Sequence, residues 1–161
     1  MEDRTYHSTA LLLPSGRVWS AGDDGNPFPA VEGVADTGEI YSPPYLFQGR
    51  RPAIARAPRR LRWDDAFGLH ARRGDRPPIR RAVLMAPSAV THATDMGQRL
   101  VPLRVRRRHG ARGLDLISPP TPEVAPPGPY MLFGLSSNGT PSVASWVRLD
   151  PSAPDAATLG R

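Results

Sequence analysis

The chain has 161 residues and no cysteine. Disulfides, zinc–thiolate centres and cysteine nucleophiles are therefore excluded, while the redox compartment stays open. Lysine is also missing, so all 21 basic side chains are arginine. No apolar run approaches the roughly 18 residues that a membrane-spanning helix needs, so no membrane partner is expected. The opening residues Met1–Thr5 lack a basic-then-apolar leader pattern, and localisation is not legible from them. Aromatic residues make up only 7% and do not interleave with the arginines.

Turn formers, by contrast, are plentiful, with Pro 20 and Gly 15. That many breakers disfavour long helices and favour short strands joined by turns. Arginine runs at Arg59-Arg60, Arg72-Arg73, Arg80-Arg81 and Arg106-Arg107-Arg108 contribute to a net charge of +6. They are scattered along the chain and carry no nucleic-acid motif, so a composition bias explains them and no nucleic-acid partner is expected.

Residues Thr9–Gly22 read as a hairpin. Ala10-Leu11-Leu12-Leu13 is an apolar strand, Pro14-Ser15-Gly16 the turn and Arg17–Ala21 the return strand. A short strand Glu39–Tyr41 follows, and Pro43-Pro44 marks a change of unit. Further strands are predicted at Ala53–Ala55, Ala66–His70, Arg80–Ala86, Leu100–Arg106, Gly113–Ile117, Tyr130–Leu135 and Val143–Leu149. Turn chemistry separates them, which argues for an antiparallel sandwich. In Leu103–Arg106 apolar and charged residues alternate, so one face should be wet. The first 42 residues hold about three strands, too few for a core of their own. They read as an incomplete propeller blade, a unit that needs four strands. Their unpaired edges and apolar faces predict that deleting them improves solubility.

The residues with the most chemistry are the neighbours Tyr6-His7, and His92 in the polar stretch Thr91–Gly97. A phenol and two imidazoles suit a copper ion that prefers nitrogen and oxygen donors. Side chains of neighbouring strand residues point to opposite faces, so Tyr6 and His7 can share a metal only where the backbone is irregular. His70 and His109 read as surface residues. Trp19, Trp63 and Trp146 read as core or sheet-face residues, and Asp23, Asp24 and Asn26 as a solvated turn rather than a calcium loop.

Arg4-Thr5-Tyr6-His7-Ser8 with Leu12–Val18 resembles the last propeller repeat of galactose oxidase and glyoxal oxidase, the copper radical oxidases. The resemblance continues through Ser42–Phe47, Arg51–Ile54, Thr91-His92, Gln98–Leu103, Ala125–Phe133 and Pro141–Ser145. It implies an all-β architecture in three parts. Residues 1–42 would be a remnant of the last Kelch-type blade, 43–150 an immunoglobulin-like early-set sandwich, and 151–161 a flexible tail. It also implies copper held by Tyr6, His7 and His92, with Tyr6 as catalytic base and His92 on a hairpin that reaches into the propeller. The family's radical cofactor is a tyrosine crosslinked to a cysteine, and a chain without cysteine lacks it.

On this reading the chain is the C-terminal part of an oxidase that turns a primary alcohol or aldehyde and oxygen into product and hydrogen peroxide. It would not be catalytic alone, would bind copper weakly, and would need the missing blades in cis or trans. The family is extracellular. The alternative is a noncatalytic β-sandwich accessory module associated with carbohydrate.

Overall fold

The turn Pro14-Ser15-Gly16 forms as its residues dictate. Gly16 takes φ +79°, its N–H donates to Leu13 O at 2.8 Å, and Leu13 N–H donates to Arg17 O at 2.8 Å. The turn joins β1 (Thr9–Leu12) to β2 (Val18–Ala21), and β3 (Gly38–Tyr41) completes an antiparallel three-stranded sheet. The computed structural model describes residues 4, 7–22, 37–74, 76–92 and 94–154. Asp23, Asp24 and Asn26 lie outside the described residues.

The later strands in chain order are β4 (Ile54–Arg56), β5 (Arg60–Leu61), β6 (Ala66–Ala71), β7 (Arg81–Met85), β8 (Val90–Thr91), β9 (Thr94–Asp95), β10 (Leu100–Pro102), β11 (Arg104–Arg108), β12 (Gly113–Ile117), β13 (Gly128–Leu135) and β14 (Ser145–Leu149). Two sheets form the sandwich. One runs β10-β7-β13-β14-β5 and the other β11-β12-β6-β4. All pairings are antiparallel except β14 with β5, where Arg148 and Leu149 lie beside Arg60 and Leu61 in parallel.

The two inner faces supply the core. Leu84, Leu132, Val147 and Leu149 meet Phe67, Leu69, Leu114 and Leu116, all of them buried. Alternation holds at the wet edge, where Leu103 is buried while Arg104 and Arg106 are exposed. A register shift lies between Val105 and Arg107. The predicted strand Leu100–Arg106 is thus two strands in different sheets, with Leu103 at the crossing.

The outer face of β13 is buried as well. Met131 is 1% exposed and Phe133 3%, and Leu12 of the three-stranded sheet lies over Phe133 together with Tyr45. A cavity of about 260 Å³ at this junction is bounded by Leu12, Tyr45, Val83, Met85, Leu100 and Phe133. Hydrogen bonds clamp the layers: Ala144 N–H to Pro14 O at 2.8 Å, and Tyr45 Oη–H to Gly16 O at 2.6 Å. Burial pushes the Tyr45 hydroxyl up against the opposing pull of Arg51, so it stays a donor. Arg51 donates to Pro141 O at 2.8 Å and to Ser142 O at 2.7 Å. The first sheet thus lies as a further layer against the sandwich, with Leu12 and Val18 facing Met85 and Leu100, which argues against the expected solubility gain from deleting residues 1–42.

Its outer face is different. Trp19 pairs with Ile40 across β2 and β3, and they are 38% and 57% exposed. At the other end of the chain, Ala153 is buried and its N–H donates to Asp150 O at 3.1 Å, while Pro151, Ser152 and Pro154 are exposed.

Candidate metal centre

The segment leading into β1 is tied down by an arginine. The Arg4 side chain is 5% exposed. It donates to Thr37 Oγ1 at 3.0 Å, to Glu39 Oε2 at 3.4 Å and to Gly22 O at 3.4 Å. Those three partners sit at the end of β2 and around β3, so this cation fixes where His7 leaves the sheet. His7 takes φ 64° and lies outside β1, the irregular backbone that two adjacent ligands would require. Gly22 faces it so closely that a Cβ there would lie 2.8 Å from His7 O. Only glycine permits that approach at φ +79°.

His92 arrives from the sandwich. In the small hairpin β8–β9, Val90 pairs with Asp95 and Thr91 with Thr94, which leaves His92 at the tip with φ 52°. Positive φ at this place is what tight hairpin turns use. The base of the hairpin is closed by Asp95, whose Oδ1 accepts from Ala89 N–H at 3.0 Å and Gly97 N–H at 2.8 Å. Burial pushes the Asp95 carboxyl up. Hydrogen bonds from Ala89, Gly97 and the Ser88 side chain outweigh it and hold the carboxyl below the usual aspartate value. The hairpin's stability from this group is thus present above the ordinary aspartate pKa and lost as pH falls through the lowered one. Asp95→Ala should speed amide exchange at Ala89 and Gly97 about fivefold to tenfold, for roughly 1 kcal/mol per lost hydrogen bond. Unchanged exchange at both amides would show that the carboxylate does not hold the hairpin.

The two elements bring the histidines together. The His7 and His92 ring centroids lie 5.0 Å apart with an interplanar angle of 74°. Thr91 Oγ1 lies 2.7 Å from His92 Nδ1. With Nδ1 as the donor, the lone pair is on Nε2, the orienting role that outer hydrogen bonds play for metal-bound imidazoles. Both residues are exposed. Imidazole nitrogens bind a metal at about 2.0–2.1 Å, so two rings at this spacing can reach one ion. Two imidazoles fit copper in donor type. Among the described residues, no group of three or more His, Cys, Asp or Glu side chains gathers round a point.

Tyr6, the third predicted ligand, lies outside the described residues. His70 is exposed on β6, and His109 pairs with Asp115 at 2.9 Å; neither joins the pair. Trp63 is a half-buried residue whose Nε1–H donates to Ala125 O at 2.8 Å. Thr91, Asp95 and Gly22 were not singled out in the sequence. The order Asp95-Met96-Gly97 carried a signal for the hairpin base, since Asp side chains cap the backbone two residues on.

A family model described as "Galactose oxidase-like, Early set domain" matches residues 51–149. The chain is 36% identical over 160 residues to "Aldehyde oxidase GLOX" of Vitis pseudoreticulata, covering 92% of this chain and 30% of that protein. It is 32% identical over 157 residues to "Galactose oxidase" of Gibberella zeae, covering 91% and 21%. Among solved structures it is similar to a "novel fungal alcohol oxidase with catalytic diversity among the AA5 family, in complex with copper". The TM-score is 0.79 at 28% identity, over 92% of this chain and 32% of that one. The chain thus spans less than a third of the length of these proteins.

Proposed function

Because this chain belongs to the galactose oxidase-like family through its early-set domain, we infer that it is the C-terminal part of a copper-dependent oxidase of primary alcohols or aldehydes that forms hydrogen peroxide from oxygen. The observation that carries the reading is the approach of His7 to His92 at 5.0 Å. Two units far apart in sequence converge on one pair of nitrogen donors. His7 and His92 hold the ion and Tyr6 is the third protein ligand. Copper bound there supplies one-electron redox chemistry for the reaction with oxygen. Tyr6 Oη takes the proton of the substrate hydroxyl as a general base.

The chain has no cysteine, so a tyrosine–cysteine crosslink must come from further polypeptide, in cis or in trans. The exposed Trp19–Ile40 face supports this, because it offers β2 and β3 to a further sheet as the next layer of a propeller. On this reading residues 1–42 are the end of the last blade and the chain alone makes no hydrogen peroxide.

Calorimetric titration of the purified chain with Cu²⁺ tests the ligand set. We expect weak binding that His7→Ala and His92→Ala each reduce at least about tenfold, as losing one of few ligands does. His70→Ala should leave it unchanged. Binding that survives both of the first two substitutions would remove these residues from the copper site. A tight stoichiometric site in the lone chain would overturn the dependence on further polypeptide.

A further inference from the structure

Arginines that look scattered in the sequence converge on the side of the sandwich formed by β4 and β14. A cleft of about 930 Å³ opens there, lined by residues 51–57, 59, 72, 76, 129 and 143–148. Arg56, Arg59, Arg72 and Arg76 line it and are exposed; Arg148 also lines it, its Nε 3.9 Å from the Asp150 carboxylate and 60% of its side chain exposed. The described lining contains no acidic residue. Among the described residues, none of Arg56, Arg59, Arg72 or Arg76 is paired with a carboxylate. Arg51, by contrast, is engaged by Pro141 O and Ser142 O and serves the fold. Unpaired guanidinium groups facing one hollow repel each other, and an anion in their midst relieves that repulsion.

The spread of the charges says what kind of anion fits. They come from three stretches on different walls, so an extended ligand carrying several anions satisfies them and a single small ion does not. Trp146, 49% exposed, contributes the cleft's aromatic surface. An indole face beside guanidinium groups suits a sugar ring that carries a carboxylate: the apolar ring face stacks, and the carboxylate takes a bidentate pair. Single-stranded nucleic acid is favoured less, because its binding grooves offer aromatic side chains to successive bases, and here one ring stands alone.

We propose that this cleft binds a polyuronate, an oligosaccharide bearing a carboxylate on each ring, with Trp146 as the stacking surface and Arg56, Arg59, Arg72 and Arg76 as the carboxylate partners. The cleft lies apart from His7 and His92, shares no residue with them and needs no metal. The binding would hold the domain on an acidic polysaccharide whether or not the oxidase reading stands.

Titration of the full chain with an oligogalacturonate, a neutral galactan and a single-stranded oligonucleotide decides it. Binding of the oligogalacturonate should fall about tenfold in Arg56→Ser/Arg72→Ser and at least about fivefold in Trp146→Ala, losses in the range of charged and aromatic contacts at binding sites. Arg104→Ser, on β11 at the opposite edge of the sheet that holds β4, should leave it unchanged. All of these positions are exposed, and circular dichroism verifies that the variants are folded. The proposal is overturned if the oligogalacturonate does not bind, if Arg104→Ser weakens it as much as the cleft variants do, if the galactan binds equally well, or if the oligonucleotide binds more tightly through the same residues.

Discussion

Replacing Gly113 by alanine is expected to cost the sandwich about 3–5 kcal/mol, a steric clash added to backbone strain. Gly113 opens β12 at φ +138°, directly opposite His70 of β6. A Cβ placed there would lie 2.0 Å from Leu69 O and 3.0 Å from its carbonyl carbon. Those are backbone atoms of a core strand, and Leu69 is 1% exposed. The β6–β12 ladder would have to part. Gly110 is the control: it also has positive φ, 61°, but nothing lies within 4 Å of an added Cβ. Gly110→Ala should therefore lose only about 1 kcal/mol, the conformational part alone. Urea denaturation of the two variants measures the difference. Equal losses would mean that the backbone at Gly113 shifts to make room.

Removing residues 1–42 should have the second large effect. Phe133, now nearly fully buried, would lose the cover of Leu12, along with the apolar parts of Val83 and Met85. Each uncovered large side chain costs roughly 1.5–3 kcal/mol. The new patch lies on the central strands of a sheet, a surface that soluble proteins seldom leave open. We expect the 43–161 piece to bind a hydrophobic dye strongly, to aggregate on concentration and to unfold at lower denaturant. A truncated chain that stays monomeric with an unchanged midpoint would show that the first sheet contributes no cover.

Much of the sandwich was legible because its strands obey simple alternation, as in Gly113–Ile117, whose bounds match the observed strand. The third layer was not read, although a trace of it was present. Tyr130-Met131-Leu132-Phe133 is apolar at consecutive positions, and such a run signals a strand covered on both faces. β5, β8 and β9, two residues each, are too short to carry periodicity. They exist because of what they join. Nothing local linked His7 to His92; only the ordered resemblance joined them, since their meeting depends on how a hairpin tip from one sheet reaches the entrance of another. The arginine cleft was not legible for the same reason. Runs at Arg59-Arg60 and Arg72-Arg73 look like drift in composition until β4, β6 and β14 place one member of each on the same hollow.

The parallel pairing of β5 with β14 bears on how the protein is made. Arg60 and Asp150 meet across 90 residues of chain. Side-chain and backbone bonds from Ser152 and the Arg60 contact hold the Asp150 carboxyl down at about 2, so this latch stays ionised at any physiological pH. During synthesis β5 leaves the ribosome long before its partner exists, and closing so long a loop is slow. The walls of the arginine cleft come from both ends of that loop. A nascent chain therefore carries its early arginines in the open, and the binding surface takes shape only when the last strand is released.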